Sequence, residues 1–219
     1  MIPILSTRKL NLQQRNELSE KGFSLMEKDF IRIDFIDFKL NRAGDLLLFT
    51  SQNAVRSVLR NPKVSYLKSI PCICVGEKTA TLLVENGWKV IHFEEYAVSL
   101  GKYIVQNCLN NEITFFSGNL RRDILPNVLK DNKIQYSEIQ VYRTLLQAEK
   151  INSKQKGILF FSPSGVQSFL CWNHFSDEIA FCIGKTTADE VLKHTKHCVI
   201  SKKPTVESLV ACVISYFSV

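Results

Sequence analysis

Short apolar runs recur along this chain, each ending in Ser, Thr or Gly before a helical period takes over. Leu46–Phe49 predicts a buried strand, after which Ala54, Val55, Val58 and Leu59 fall at helical spacing over 53–59. Ile73–Val75 predicts another strand. The helix that follows, over Thr79–Asn86, stops at Gly87, a residue suited to the left-handed turn beyond a helix end. Ile113–Phe116 with a helix over Leu120–Lys130, then Ile158–Phe161 and Phe181–Ile183, continue the pattern, and residues 1–20 open the chain with a strand-loop-helix unit. Phe30–Phe38 and Ser137–Thr144 alternate apolar and polar residues instead and read as extended connectors. Strands alternating with helices predict parallel sheets.

The pattern is also repeated. Leu48-Phe-Thr-Ser51 resembles Leu159-Phe-Phe-Ser162, with the serines 111 residues apart, and Cys74-Val-Gly76 resembles Cys182-Ile-Gly184, with the glycines 108 apart. Pro3-Ile-Leu-Ser6 resembles Phe115-Phe-Ser117 more weakly, again 111 apart at the serines. Three pairs in one order imply a duplication of about half the chain. Because the first unit matches the stretch around 113–130, the first strand belongs with the C-terminal half and the middle segment forms its own domain. The expected fold class is therefore α/β, with two similar parallel-sheet, flavodoxin-like domains. The expected bounds are 1–33 plus 146–219 for the discontinuous domain and 38–140 for the other. Residues 34–37 and 141–145 are expected to form a two-stranded ribbon hinge, with the active cleft between the domains, where pockets commonly lie.

Composition narrows the class. With 219 residues, 45% hydrophobic and 22% charged, the chain is neither disordered nor low in complexity. No apolar run reaches the ~20 residues that span a bilayer, and the first residues lack the basic, then long apolar, signature of a secretory signal. Seven cysteines without a CxxC pair read as reduced thiols, several acting as small hydrophobes. His194, His197 and Cys198 read as a polar helix end rather than a metal site, since no second ligand pair stands at usable spacing. The net charge of +7 fits a polyanionic partner, a nucleic acid, or a solvated surface.

Several chemistries are excluded by missing residues. Gly184-Lys185-Thr186-Thr187 looks like the end of a phosphate-binding loop, but Ile179 stands where the first glycine is required. No GxGxxG or GxSxG occurs, and Asp29, Asp34 and Asp37 lie along extended segments as polar faces. What remains is the set of loops after the strands: Thr50-Ser51, Gly76–Thr79, Ser117–Asn119, Ser162–Gly165 and Gly184–Thr187. In parallel sheets ligands sit beyond the carboxyl ends of strands, and helix starts offer N–H groups to anions. For any single one of these residues simple N-capping is the commoner explanation; five such loops together are harder to account for that way. Arg121 and Arg122, expected to open a helix, oppose its dipole and so hint at a nearby anion. Tyr142 reads either as a half-buried strand residue or as a phenol proton donor.

Taken together, Phe49-Thr50-Ser51, Val75-Gly76-Glu-Lys-Thr79-Ala80, Ser117-Gly118-Asn119-Leu120-Arg121-Arg122-Asp123-Ile124-Leu125-Pro126, Val141-Tyr142-Arg143-Thr144, Phe160-Phe161-Ser162-Pro163-Ser164-Gly165, Ile183-Gly184-Lys185-Thr186-Thr187-Ala188 and Pro204-Thr205 resemble the uroporphyrinogen-III synthase family. Lys9 departs from the family, many members having proline there. The resemblance implies a carbon–oxygen lyase of haem biosynthesis that cyclises hydroxymethylbilane to uroporphyrinogen III. Water is lost, and ring D is inverted through a spiro intermediate. It implies Tyr142 and Thr79 as catalytic residues. It implies Thr50, Ser51, Gly76, Lys78, Ser117, Gly118, Asn119, Arg121, Ser162, Ser164, Gly165, Lys185, Thr186 and Thr187 as substrate-binding residues. No cofactor, metal, nucleic acid or membrane is expected; a cytoplasmic monomer that meets hydroxymethylbilane synthase transiently is. The rival reading is a non-catalytic two-lobed module of the same fold that binds an anion or other small molecule.

Overall fold

Apolar residues fill both faces of the strands, so the sheets must be covered by helices on both sides. The computed structural model describes residues 1–218. In chain order the elements are β1 (Ile2–Ser6), α1 (Leu12–Glu20), β2 (Phe23–Glu27), β3 (Ile31–Phe35), β4 (Leu46–Phe49), α2 (Gln52–Val58), α3 (Val64–Lys68), β5 (Cys72–Val75), α4 (Glu77–Glu85), β6 (Val90–Glu94), α5 (Ala97–Asn107), β7 (Ile113–Gly118), α6 (Ile124–Asp131), β8 (Tyr136–Leu146), β9 (Gly157–Phe160), α7 (Pro163–Leu170), β10 (Ile179–Cys182), α8 (Lys185–Val191), β11 (Cys198–Ile200) and α9 (Val206–Phe217). The chain divides into two units. Unit 1 joins Met1–Arg32 to the stretch from Leu145 onward, and unit 2 is Ile33–Thr144.

Unit 1 is a sheet in the order β11-β10-β9-β1-β2, with every neighbouring pair parallel. Leu5, Ile158, Phe160, Ala180 and Cys182 face α7 and α8, where Val166, Phe169, Ala188 and Val191 close the layer. Ile4, Leu159 and Phe181 face the other way, against Leu18 of α1 and Leu209, Val210 and Val213 of α9. The two-residue period of a strand sends alternate side chains to opposite layers. Each fully buried side chain of this size adds roughly 1.5–3 kcal/mol over an exposed one.

Unit 2 is a sheet in the order β3-β8-β7-β4-β5-β6. From β8 to β6 its recorded pairs are parallel. Leu47, Phe49, Cys72, Cys74 and Phe116 meet α2, α3 and α4 through Ala54, Val55, Val58, Leu67, Ala80 and Leu83. Leu46, Leu48, Ile73, Ile113 and Phe115 meet α5 and α6 through Leu100, Ile104, Leu125 and Leu129.

The two sheet orders coincide under the sequence repeat. Shifting β1, β2, β4, β5 and β6 by about 110 residues gives β7, β8, β9, β10 and β11, so β11-β10-β9-β1-β2 becomes β6-β5-β4-β7-β8. Each repeat donates its leading strand-helix-strand piece to one unit and its remainder to the other. The connectors follow the same rule. Ile36 N–H donates to Val141 O at 2.9 Å, and Gln147 N–H donates to Phe30 O at 2.8 Å. These bonds bracket β3 and the far half of β8, running antiparallel, and they exchange under the 111-residue shift.

Candidate functional site

Within each unit the helices on either side of one strand boundary leave toward opposite faces. In unit 1 this boundary lies between β9 and β1, and in unit 2 between β4 and β7. The carboxyl ends of strands at such a switch point form the usual ligand crevice of an open α/β sheet. They present Thr7, Arg8, Phe161 and Ser162 in unit 1, and Thr50, Ser51, Gly118 and Asn119 in unit 2.

The corner between β7 and β8 is the most elaborately built of these ends. A register shift between Ser117 and Gly118 brings Gly118 opposite Tyr142. The half-buried Tyr142 ring lies so close over Gly118 that a β-carbon there would stand 2.3 Å from its Cζ. Asn119 completes the clasp, its side-chain amide donating to Thr144 O at 3.2 Å while its oxygen accepts from Thr144 N–H at 2.8 Å. Arg121 donates through Nε to Glu138 Oε1 at 2.6 Å and through Nη2 to Oε2 at 3.0 Å, and its Nη1 bonds the Asp123 carboxylate. Burial pushes the Glu138 carboxyl up, but hydrogen bonds from Arg121 and Ser117 outweigh it and leave the group below its ordinary range.

This corner changes the helix expected over Leu120–Lys130. Helix α6 begins at Ile124, with Asp123 as its N-cap. Asn119 and Arg121 are drawn to β8, which keeps 119–122 out of the helix. Arg121 therefore sits among carboxylates rather than facing an uncompensated dipole. Its donors hold β7 to β8, so an incoming anion meets competition from Glu138 and Asp123.

The other expected residues sort by whether their polar atoms are already engaged. Ser51 caps α2 by accepting from Asn53 N–H at 3.1 Å. Ser162 caps α7 by accepting from Gly165 N–H at 3.1 Å, and its hydroxyl also meets that of Ser164 at 3.0 Å. Exposed Lys185 reaches Asp189 one turn on, at 3.0 Å. Lys78 and Thr186 are exposed, and Thr50 is half-buried at the tip of β4. Gly76 needs glycine at φ 87°, whereas Gly184 is extended at φ −177°, so the two equivalent loops have different backbones. Thr79 and Thr187 occupy matching places in the first turns of α4 and α8, only 5% and 3% exposed. Neither hydroxyl, nor the phenol of Tyr142, makes a hydrogen bond within the described residues.

Arg8 was not among the expected site residues. It is exposed at the tip of β1, with its guanidinium 5.1 Å from the centre of the Phe161 ring and no carboxylate within ion-pair distance among the described residues. The signal was present, since Ser6-Thr7-Arg8 aligns with Ser117-Gly118-Asn119 in the repeat. Lys202 and Lys203 follow β11 and are likewise exposed. A 440 Å³ concavity in unit 1, lined by residues such as Lys150, Gln155 and Trp172, opens at the opposite end of the sheet, where strands begin. It holds none of the expected residues. No helix among the described residues is long and apolar enough to cross a membrane.

Comparison with known proteins places these features in a family context. The family model "Uroporphyrinogen-III synthase HemD" matches residues 13–211, which takes in most of both units. A curated relative from Ruminiclostridium josui, "Porphyrin biosynthesis protein HemD", is 24% identical over 96% of this chain, which spans 41% of that relative's length. A crystal structure of uroporphyrinogen-III synthetase from Helicobacter pylori is 22% identical and covers 99% of this chain and 100% of its own, with a TM-score of 0.74. A mutant uroporphyrinogen III synthase from Thermus thermophilus is 14% identical, covering 99% and 97%, with a TM-score of 0.72. At these identities the two structures establish a shared fold.

Proposed function

The chain belongs to the uroporphyrinogen-III synthase family, and from that premise we propose that it converts hydroxymethylbilane to uroporphyrinogen III, losing water and inverting ring D as the macrocycle closes. One observation in the structure carries the assignment of roles. Among strand-tip residues whose polar atoms are mostly engaged locally, the Tyr142 phenol and the Thr79 and Thr187 hydroxyls have no hydrogen-bond partner within the described residues.

Hydroxide is a poor leaving group, so departure of the substrate hydroxyl requires a proton. Tyr142 supplies it. Gly118 beneath the ring and Val141 on one side fix its seat, and Ser57 Oγ holds the Val141 carbonyl. Thr79 and Thr187 donate from largely buried side chains at the first turns of α4 and α8, which fixes where their hydroxyls stand. The substrate is a flexible polyanion whose ends must be held together, so orientation carries much of the barrier reduction. Arg8 and Lys203 grip its carboxylates as charged donors, and the amides at the starts of α2, α7 and α8 add neutral ones. Ser117, Asn119 and Arg121 act one step back, by holding the corner on which Tyr142 rests. A cytoplasmic monomer, with transient delivery of substrate by hydroxymethylbilane synthase, goes with this reading.

The test is to supply freshly made hydroxymethylbilane, oxidise the products and separate the porphyrin isomers. Predominant type III product is expected. Type I alone, at the rate of the enzyme-free reaction, overturns the assignment and leaves a binding module.

A further inference from the structure

Cys182 closes β10 and Cys198 opens β11, and their sulfurs stand 3.7 Å apart as free thiols. The strands are parallel neighbours pairing Ala180 with Cys198 and Cys182 with Ile200, so the two cysteines form a diagonal pair. Their surroundings differ. Cys182 is fully buried against the layer made by α7 and α8, whereas Cys198 is half-buried on the sheet edge. A redox-sensing cysteine needs an accessible, thiolate-prone sulfur beside a second one able to resolve the first adduct. The hydrogen bond from Cys182 pulls the Cys198 thiol below its ordinary range, outweighing burial and the Asp189 charge; that bond, together with burial, pushes Cys182 up.

We propose that Cys198 and Cys182 are a redox couple that closes to a disulfide across β10 and β11 by exchange with a low-molecular-weight disulfide such as glutathione disulfide. The Cys198 thiolate attacks one glutathione sulfur, the glutathione S–S bond breaks, and one glutathione thiolate leaves and takes up the Cys198 proton from solvent. Cys182 then attacks the Cys198 sulfur. The protein S–S bond forms, the mixed disulfide breaks, and the second glutathione departs with the Cys182 proton. Two protein thiols are oxidised, and one glutathione disulfide is reduced to two thiols.

Closing the bond shortens the sulfur separation to ~2.05 Å. Strands lie ~4.8 Å apart and rise ~3.3 Å per residue, so residues offset by two on adjacent strands stand ~8 Å apart, beyond the usual span of a disulfide, and one strand must slide. Strand β11 is suited to this, being three residues long and paired along one edge alone. Its movement carries Ser201, whose single hydroxyl proton is shared between Lys203 O at 2.7 Å and Ile183 O at 2.9 Å. Oxidation is thereby transmitted to the two loops that hold Gly184 and Lys203, at the strand tips of unit 1.

The experiment uses the full chain carrying Cys171→Ser, which removes the exposed competing thiol. Protein is equilibrated at pH 7 with defined ratios of glutathione disulfide to glutathione, quenched by acid, alkylated and mapped by peptide mass. The expected result is a Cys182–Cys198 cross-linked peptide that has lost two hydrogens, with a loss of two alkylatable thiols per chain, reversed by dithiothreitol. In Cys182→Ala, glutathione should instead remain on Cys198. A persistent glutathione adduct on Cys198 in protein that retains Cys182 overturns the proposal. So do two cysteines that stay alkylatable at high oxidant excess. The mapping leaves this pair unaltered and stands even if the Cys182 variant fails to fold.

Discussion

Gly118→Ala tests the seat of Tyr142 directly. The added β-carbon would lie 2.3, 2.6 and 2.7 Å from three carbons of the Tyr142 ring. Comfortable carbon contacts lie at ~3.5–4.0 Å, so the ring must retreat by about 1 Å or swing away. If the corner resists, overpacking costs ~1–3 kcal/mol of stability. If the ring swings out, most of that cost is relieved, but the phenol leaves its position. A displacement of about 1 Å at a reacting group lowers turnover by roughly 10²-fold. On the proposed role of Tyr142 as sole acid, Tyr142→Phe should cost about 10²–10⁴-fold. The assay is the initial rate of type III product from hydroxymethylbilane, with thermal unfolding followed in parallel. Gly118→Ala should lose most of its rate in wild-type background yet add little in a Tyr142→Phe background, because both changes act through one group. Wild-type rate in Gly118→Ala, or full additivity in the double variant, would refute the placement of the phenol.

Three further outcomes follow from the same geometry. Thr79→Val removes a hydroxyl that has no hydrogen-bond partner in the described residues, so stability should stay within about 1 kcal/mol while the type III rate falls ~10-fold or more; an unchanged rate removes Thr79 from the site. Glu138 has a depressed carboxyl pKa in the fold, so its pair with Arg121 stabilises above the unfolded pKa of about 4.3 and is lost as pH falls through the folded value. Because both side chains are about a quarter exposed, at 27% and 25%, Glu138→Gln should cost only ~1–2 kcal/mol at neutral pH, vanishing in acid, as read by urea midpoints across pH; a pH-independent difference contradicts this. A β-carbon at Gly44 would meet the Glu112 carbonyl oxygen at 1.9 Å, a backbone atom that cannot rotate away. Gly44→Ala should therefore destabilise by ~3 kcal/mol or more in a denaturant titration, and a neutral effect would be inconsistent with that approach.

The α/β organisation was legible because buried strands and following helices leave different periods, and because Ser51/Ser162 and Gly76/Gly184 mark the same turn twice. The assignment of the first strand to the C-terminal half rested on one weak match, Ser6 with Ser117; in the structure β1 is a parallel neighbour of β9. Gly87 ends its helix as its type suggests, at φ 83°. Edge strands β6 and β11 left little trace, since one is half exposed and the other has three residues. The corner at Gly118 was invisible for another reason. Arg121 and Glu138 are 17 residues apart, and no local period links a guanidinium to a carboxylate on the next strand. Likewise the composition of Gly76 and Gly184 is identical, while only the first has a backbone that demands glycine.

The exchange of strands between the repeats sets an order of events on the ribosome. Unit 2 is one uninterrupted stretch of chain and has all its strands once residue 144 has emerged. Strand β1 pairs with β2 at once, but its other neighbour, β9, is made about 150 residues later. At bacterial to eukaryotic elongation rates of roughly 5–20 residues per second, that edge waits on the order of ten to thirty seconds. Throughout that interval the nascent strand-helix-strand piece leaves Ile4 and Leu5 without the cover that α7, α8 and α9 later supply, an open sheet edge of the kind that invites mis-pairing.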